Sequence, residues 1–288
     1  MAFFITLLSM IKVISIITAL FLGFSSCSTL EADQPTVIKI NAIDLKTNYN
    51  LEGSSSHKIS DAWIYIDDQL QGAFELPCAI PFSQNGNVKI TVVPGIKSSG
   101  QTAIREKYPY YKWCDSLVNM SGSTITLYPT TQYIDSTSFL YKDDFESNAI
   151  VFTKDNNSDT SMYIVSGGAN IFEGNNIAEI CVNNNNPYAL VKSMLNLSTP
   201  SSSKKTYLEM DYANDAPLIV GIKSGGNFVP IIILNSTALA WNKIYIDLSQ
   251  TLANNNSQSK FEIYFEIQQI SGEENRTRFD NLKIVTRK

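Results

Sequence analysis

Histidine occurs once in the 288 residues, as His57 beside Ser54-Ser55-Ser56. A Ser-His-Asp relay would therefore have to be assembled in that one loop, and a solvated loop residue is the expectation. HExxH, GxSxG and the glycine-rich phosphate loop are absent. A glycosidase needs no contiguous motif, only two carboxylates across a bond. The nearest candidates are Glu262 and Glu266 in FEIYFEIQ, which strand alternation places on one face. At about 3.3 Å per residue their backbones stand roughly 13 Å apart. Both glycosidase geometries require about 5 to 9.5 Å. A non-catalytic chain is expected, with glycoside hydrolysis the least favoured reading.

The same alternation suits binding better. In FEIYFEIQ, Phe261, Ile263, Phe265 and Ile267 face one way, and Glu262, Tyr264, Glu266 and Gln268 the other. WNKIYIDL sorts into Ile244, Ile246 and Leu248 inward, with Trp241, Lys243, Tyr245 and Asp247 outward. TYLEMDY sorts Leu208, Met210 and Tyr212 against Tyr207, Glu209 and Asp211. One outer face is thus expected to collect Trp241, Tyr245, Tyr264 and Tyr207 among Glu262, Glu266 and Glu209. Sugar rings offer a flat C–H face to aromatic planes and a fringe of hydroxyls to carboxylates and amides, so such a face would suit glycan. It would equally suit an ordinary solvated sheet with cross-strand pairs.

The elements that would position these residues are strands. Apolar, β-branched and aromatic runs recur between Gly, Pro, Asn, Asp and Ser clusters, and helical periodicity is almost absent. An all-β fold follows, with expected strands that include Thr36 to Ile43, Ala62 to Ile66, Gly72 to Leu76 and Val88 to Val93, and later Lys205 to Tyr212, Lys243 to Leu248, Phe261 to Gln268 and Arg278 to Thr286. Asp67-Asp68 should turn one hairpin, and Pro77 and Pro81 should end its second strand. The polar stretch from Pro129 to Ser138 separates the two series, placing a boundary near residue 137. A small β-sandwich over 34–136 and a jelly-roll sandwich over 137–288 are expected.

Composition is globular, at 44% hydrophobic and 17% charged, with 22 basic against 27 acidic residues. The net charge of −5 and the lack of any Lys or Arg run argue against a nucleic-acid partner. Residues 1–26 read as a targeting segment, most orderly from Met10: Lys12 as the positive region, Val13 to Leu22 as the apolar region, then Gly-Phe-Ser-Ser. An uncleaved anchor is the alternative, since residues 2–24 could just span a bilayer. Cys78 and Cys114 could bridge in an oxidising compartment and leave Cys181 over; three thiols is the other reading.

Leu22 to Cys27 resembles a bacterial lipobox, with Phe24 where Leu is usual, which implies acylation of Cys27 and a tether over 27–33. Glu31 and Asp33 resemble the acidic signal by which Bacteroidota place lipoproteins on the cell surface. The implied location is the outer membrane, lipid-anchored. The partner would be glycan or, as the alternative, an outer-membrane protein complex in which the chain is an accessory subunit. DAWIYIDDQLQGAFELPCAIPF with GNVKITVVPGIK resembles PEGA-type or transthyretin-like small sandwiches. Asp143-Asp144-Phe145-Glu146, WNKIYIDL and Arg278-Phe279-Asp280-Asn281-Leu282 resemble strands of galactose-binding-like jelly rolls, including carbohydrate-binding modules. That second resemblance implies a structural calcium held by Glu146 and Asp280, with Asp144 beside them.

Overall fold

The computed structural model describes residues 34–147, 149–255, 260–270 and 272–288. Cys27, its leader and the acidic tether lie outside the described residues. The N-terminal unit begins with β1 (Thr36–Ile40), β2 (Asp44–Leu45), β3 (Asp61–Ile66), β4 (Gln69–Glu75) and β5 (Cys78–Phe82). It continues with β6 (Gly86–Lys97), β7 (Arg105–Lys107), β8 (Cys114–Met120), β9 (Thr124–Leu127) and β10 (Thr130–Thr131). Its main sheet has the order β4-β3-β6-β7 with β8 also on β6, faced by β5-β1-β9.

Alternation along β3 and β6 sends Ala62, Ile64, Ile66, Val88, Ile90 and Val92 into the core between these sheets, where they meet Ile38 and Ile40 of β1. Asp67 and Asp68 close the β3–β4 hairpin with φ of 46° and 65°. Two consecutive left-handed residues are what a two-residue turn between right-twisted strands requires. The Asp67 carboxylate accepts the Lys89 N–H at 2.9 Å, which ties the turn to β6. The partner strand β4 stops at Glu75, just before Pro77 as the sequence suggests, but Pro81 does not end it. Pro77 precedes a further strand, β5, and Pro81 lies within it, opposite Val37. β5 is an edge strand, where proline removes no hydrogen bond that the sheet needs.

The C-terminal unit starts with β11 (Thr137–Asp143), β12 (Phe152–Lys154), β13 (Tyr163–Ser166), β14 (Asn176–Val182), β15 (Tyr188–Ser193) and β16 (Leu197–Ser198). β17 (Tyr207–Asn214), β18 (Leu218–Ser224), β19 (Asn227–Leu234), β20 (Asn242–Asp247), β21 (Lys260–Gln268) and β22 (Asn275–Arg287) complete it. One sheet runs β13-β14-β22-β17-β20 with β11 on β22; the other runs β12-β15-β21-β18-β19 with β16 on β21. All their pairings are antiparallel. The inner faces meet in one core that contains every residue assigned inward above: Phe261, Ile263, Phe265 and Ile267 from one sheet, Leu208, Met210, Tyr212, Ile244 and Ile246 from the other, with Leu248 just past β20. The protein is all-β, a jelly-roll sandwich preceded by a smaller one.

Two helices are short: α1 (Tyr49–Glu52) and α2 (Ser249–Asn254). Among the described residues no helix is long and apolar enough to cross a membrane. Cys78, Cys114 and Cys181 are free thiols. Burial raises the pKa of each, Cys114 to about 11.

Candidate functional site

The single outer face expected of Trp241, Tyr245, Tyr264, Tyr207, Glu262, Glu266 and Glu209 does not form. β17 and β20 belong to one sheet and β21 to the other. The outward residues of these strands therefore point to opposite sides of the sandwich, and the two groups meet different surroundings.

The first group is covered by the N-terminal unit. Tyr207 and Tyr245 are fully buried against Tyr108, Tyr110, Tyr111 and Tyr133, which lie between β7 and β11 in sequence. Their rings meet mostly edge to face, with Tyr108 4.5 Å from Tyr111 and 5.1 Å from Tyr207. Such geometry brings the positive ring edge to the negative ring face. Glu209, 0% exposed, accepts from the Tyr108 hydroxyl and, at 2.7 Å, from Tyr133. Lys283 donates to the Ser54 carbonyl at 2.6 Å. Burial lowers its pKa to about 8, although Glu209 and Asp211 pull the other way. Beside it Asp211 pairs with Lys243 at 3.3 Å and accepts from the Ser56 hydroxyl at 2.8 Å. This is a sealed, hydrogen-bonded interface between units. A glycan could reach none of its rings.

The second group lies on the outer face of the other sheet. Tyr264 packs flat on Gly221, where a Cβ would come within 2.5 Å of the ring. Phe228 stands edge-on to it at 5.1 Å. Lys192 pairs with Glu262 at 3.7 Å, Lys223 with Asp155 at 3.9 Å, and Tyr188 donates to Glu266 at 3.1 Å. Tyr264 is consequently 1% exposed. It is a packed ring under ion pairs, not a stacking platform. Trp241 sits apart, beyond the β20 edge, with Phe172 at 5.2 Å and its indole N–H on the Asn170 carbonyl at 3.3 Å.

The carboxylates assigned to calcium are likewise occupied. Glu146 accepts the N–H groups of Asn175 and Asn176 at 2.7 and 2.8 Å. Asp280 accepts those of Glu173 and Asn281 at 3.1 and 2.8 Å. Asp144 accepts the Tyr49 hydroxyl at 2.7 Å. Burial, aided by nearby Asp211 and Glu173, raises the Asp280 pKa to about 8. Donors are aimed at oxygens that a cation would need, and among the described residues no cluster of three acidic, cysteine or histidine groups is arranged for a metal. The residues present do not fit the ion.

An open aromatic face does exist, in the N-terminal unit. β3 alternation turns Asp61, Trp63 and Tyr65 away from the core, and the β3–β6 register places them opposite Gly95, Val93 and Thr91. Trp113, immediately before β8, is 61% exposed and stacks on Tyr65 with centroids 6.0 Å apart and planes 13° from parallel. Lys107 on β7 lies 4.9 Å from the Trp63 ring centre and 5.0 Å from that of Tyr65, and its ammonium donates to the Tyr65 hydroxyl. The Trp63 ring rests on Gly95, where a Cβ would come 3.1 Å from its Cδ1. Its indole N–H is buried with no hydrogen-bond partner.

Polar groups border the rings on both sides. Thr91 donates to Asp115 at 2.6 Å and Lys89 pairs with Asp115 at 3.4 Å. Toward β4, Arg105 and Lys97 hold Glu75 at 3.1 and 2.6 Å, and Lys97 lowers the Glu75 pKa. The near-parallel rings of Tyr65 and Trp113, a cation over Tyr65 and Trp63, and flanking carboxylates can bind a flat C–H surface and its polar rim at once. Sequence reasoning missed this group because its rings come from β3 and from the segment before β8, which only the sheet register unites. The signal that was available is WIYI, whose alternation puts Trp63 and Tyr65 together opposite an apolar face.

No protein-family model matches the chain, and no curated protein matches it. Solved structures that resemble it include a family 61 carbohydrate-binding module in complex with β-1,4-galactotriose, at 11% identity and TM-score 0.34, covering 50% of this chain and 94% of that one. A family 11 carbohydrate-binding module from Clostridium thermocellum, in complex with a β-1,3-1,4-mixed-linked tetrasaccharide, shares 16% identity at TM-score 0.32, covering 51% and 94%. The K3 cleaved adhesin domain of Lys-gingipain from Porphyromonas gingivalis w83 shares 11% at TM-score 0.36, covering 52% and 98%. At such scores the ligand of this chain has to be argued from its own residues.

Proposed function

We propose that this protein is a non-catalytic glycan-binding protein and that its binding surface is the face formed by Tyr65, Trp113, Trp63 and Lys107. The observation that carries the reading is the exposed Trp113 stacked on Tyr65 with Lys107 beside them. Of the other aromatic residues expected to face outward, Tyr207 and Tyr245 are sealed under the N-terminal unit, Tyr264 is buried against Gly221 and Phe228, and Trp241 packs on Phe172. Exposed aromatic surface of this kind is costly to leave in water and is found where something docks. The flanking Asp115, Thr91 and Glu75 supply acceptors and donors for a hydroxyl fringe.

Lipid anchoring through Cys27 and display on the outer membrane belong to the same proposal, supported by the lipobox resemblance. Replacing Cys27 with Ser should abolish palmitate labelling and release the protein from membranes. For the site, binding to an array of neutral oligosaccharides should be lost on Trp113→Ala. One stacked ring is worth about 0.5 to 1.5 kcal/mol beyond its area, so the area lost with it brings the total to roughly tenfold or more in affinity. Absence of binding to any neutral glycan, or unchanged binding by a folded Trp113→Ala, would remove the reading.

A further inference from the structure

The two units do not close on each other everywhere. Between them lies a cleft of about 510 Å³, within the size range of small-molecule sites. One wall is Lys58, Lys97 and the tight turn at Ser98–Gly100; the other is the end of β19, the 235–237 loop and β20. The turn is fixed firmly: Ser99 has φ of 50°, its hydroxyl accepts the Asp247 N–H at 3.4 Å, and a Cβ on Gly100 would press on Ile244 at 3.3 Å.

The lining has an unusual charge. It contains Lys58, Lys97 and Lys243 and no Asp or Glu, in a chain with 22 basic and 27 acidic residues. Two further cavities among the described residues, of about 360 and 430 Å³, each carry two carboxylates: Asp143 and Asp144 in one, Glu52 and Asp135 in the other. Lys97 is spent on Glu75 at 2.6 Å and Lys243 on Asp211 at 3.3 Å. Among the described residues Lys58 pairs with no carboxylate: its ammonium donates to the Asn242 side-chain oxygen at 2.5 Å, and its backbone N–H to the Tyr245 hydroxyl at 3.0 Å. Partial desolvation, and then the nearby Lys97, lower its pKa. Around it stand hydroxyl and amide groups of Ser99, Thr237 and Asn235, over an apolar floor of Ile232 and Ile244.

We infer that this cleft binds the anionic group of an acidic saccharide, with Lys58 as its counter-ion. An ammonium takes carboxylate or sulfate as a point charge. The hydroxyls and amides of both walls match the ring hydroxyls, and the isoleucines match a C–H face. Because both units contribute, the ligand would also clamp them together. This site is separate from the neutral-glycan face, and either can fail without the other.

Titrating the full-length protein with oligogalacturonate, with a heparin-derived oligosaccharide and with a neutral oligosaccharide tests the inference. The first two probes separate carboxylate from sulfate as the anion. Binding of at least one acidic probe is expected, weakening as salt is raised, and falling at least tenfold in Lys58→Met, which keeps the apolar stem. Ile233, exposed at the cleft mouth, allows a second variant that leaves the fold alone: Ile233→Glu should weaken the same probe by repulsion. Trp113→Ala should leave acidic binding unchanged. Failure of both acidic probes to bind, or wild-type affinity in both Lys58→Met and Ile233→Glu, overturns the assignment.

Discussion

The two outer faces of the C-terminal sandwich present similar residues and meet opposite fates. On the β17–β20 side, Tyr207, Glu209 and Tyr245 are fully buried beneath four tyrosine rings of the N-terminal unit, Tyr108, Tyr110, Tyr111 and Tyr133. On the β21 side, Glu262, Tyr264 and Glu266 lie under nothing but their own neighbours, and ion pairs between half-buried side chains form the surface. Period-two alternation decides which residues leave the core. It carries no information on what covers them afterwards. A carboxylate among tyrosines is thus a structural bolt on one face and a surface group on the other.

The largest expected effect breaks the bolt. Glu209→Ala removes the acceptor of two buried hydroxyls and one of the two buried carboxylates near Lys283, leaving that buried ammonium with Asp211. A loss of about 3 to 5 kcal/mol is expected, measured by urea unfolding. The wild type is expected to unfold in one transition and the variant in two as the units uncouple, whereas Glu262→Ala on the other face should change stability by no more than about 1 kcal/mol.

A second effect follows from two buried groups of opposite sign on that face. Asp280 has a folded pKa of about 8, above its ordinary 3.8. The folded protein therefore holds a proton that the unfolded chain has lost, and stability falls as pH climbs between those values. Lys283 has a folded pKa of about 8, below its ordinary 10.5. There the unfolded chain holds the extra proton, so stability rises with pH above about 8. Urea midpoints should pass through a minimum near pH 8, lower than at about pH 5.5 and about pH 9.5. A flat profile would mean that neither group is buried as described.

A smaller effect probes the other face. Gly221→Ala would drive a Cβ to 2.4 Å from the Val229 carbonyl oxygen and 2.5 Å from the Tyr264 ring. Overpacking of this kind should cost about 1 to 3 kcal/mol, read as a lowered urea midpoint. The smallest expected effect is that of calcium. With Glu146 and Asp280 held by backbone N–H groups, calcium added to metal-stripped protein should leave the melting temperature in place. A rise of about 5 to 10 °C would show that these carboxylates turn to a cation.

Much of the architecture was legible in the sequence, for a local reason. The inward sets of β17, β20 and β21 follow from alternation, and the Asp67-Asp68 turn from the lone pair of acidic residues between two apolar runs. Which sheet each strand joins was not legible. β17 pairs with β22 across some 70 residues of chain, and β21 with β15 across a similar length, and only that pairing separates Tyr245 from Tyr264. Tyr108, Tyr110 and Tyr111 gave no alternating signal because they lie in a turn and bridge, not in a strand. Trp113 was missed for a related reason: it becomes part of a face only when β8 pairs with β6 and brings it beside Tyr65.

The central claim is that glycan meets the exposed rings of the N-terminal unit and not those of the C-terminal sandwich. The chain has three tryptophans, Trp63, Trp113 and Trp241, so intrinsic fluorescence can report on both places. A neutral oligosaccharide that binds the wild type should shift tryptophan emission equally in Trp241→Phe and in Tyr264→Phe. In Trp113→Ala the shift should shrink to what Trp63 alone reports and the affinity fall about tenfold or more. Retention of affinity by Trp113→Ala together with its loss in Trp241→Phe would contradict the account.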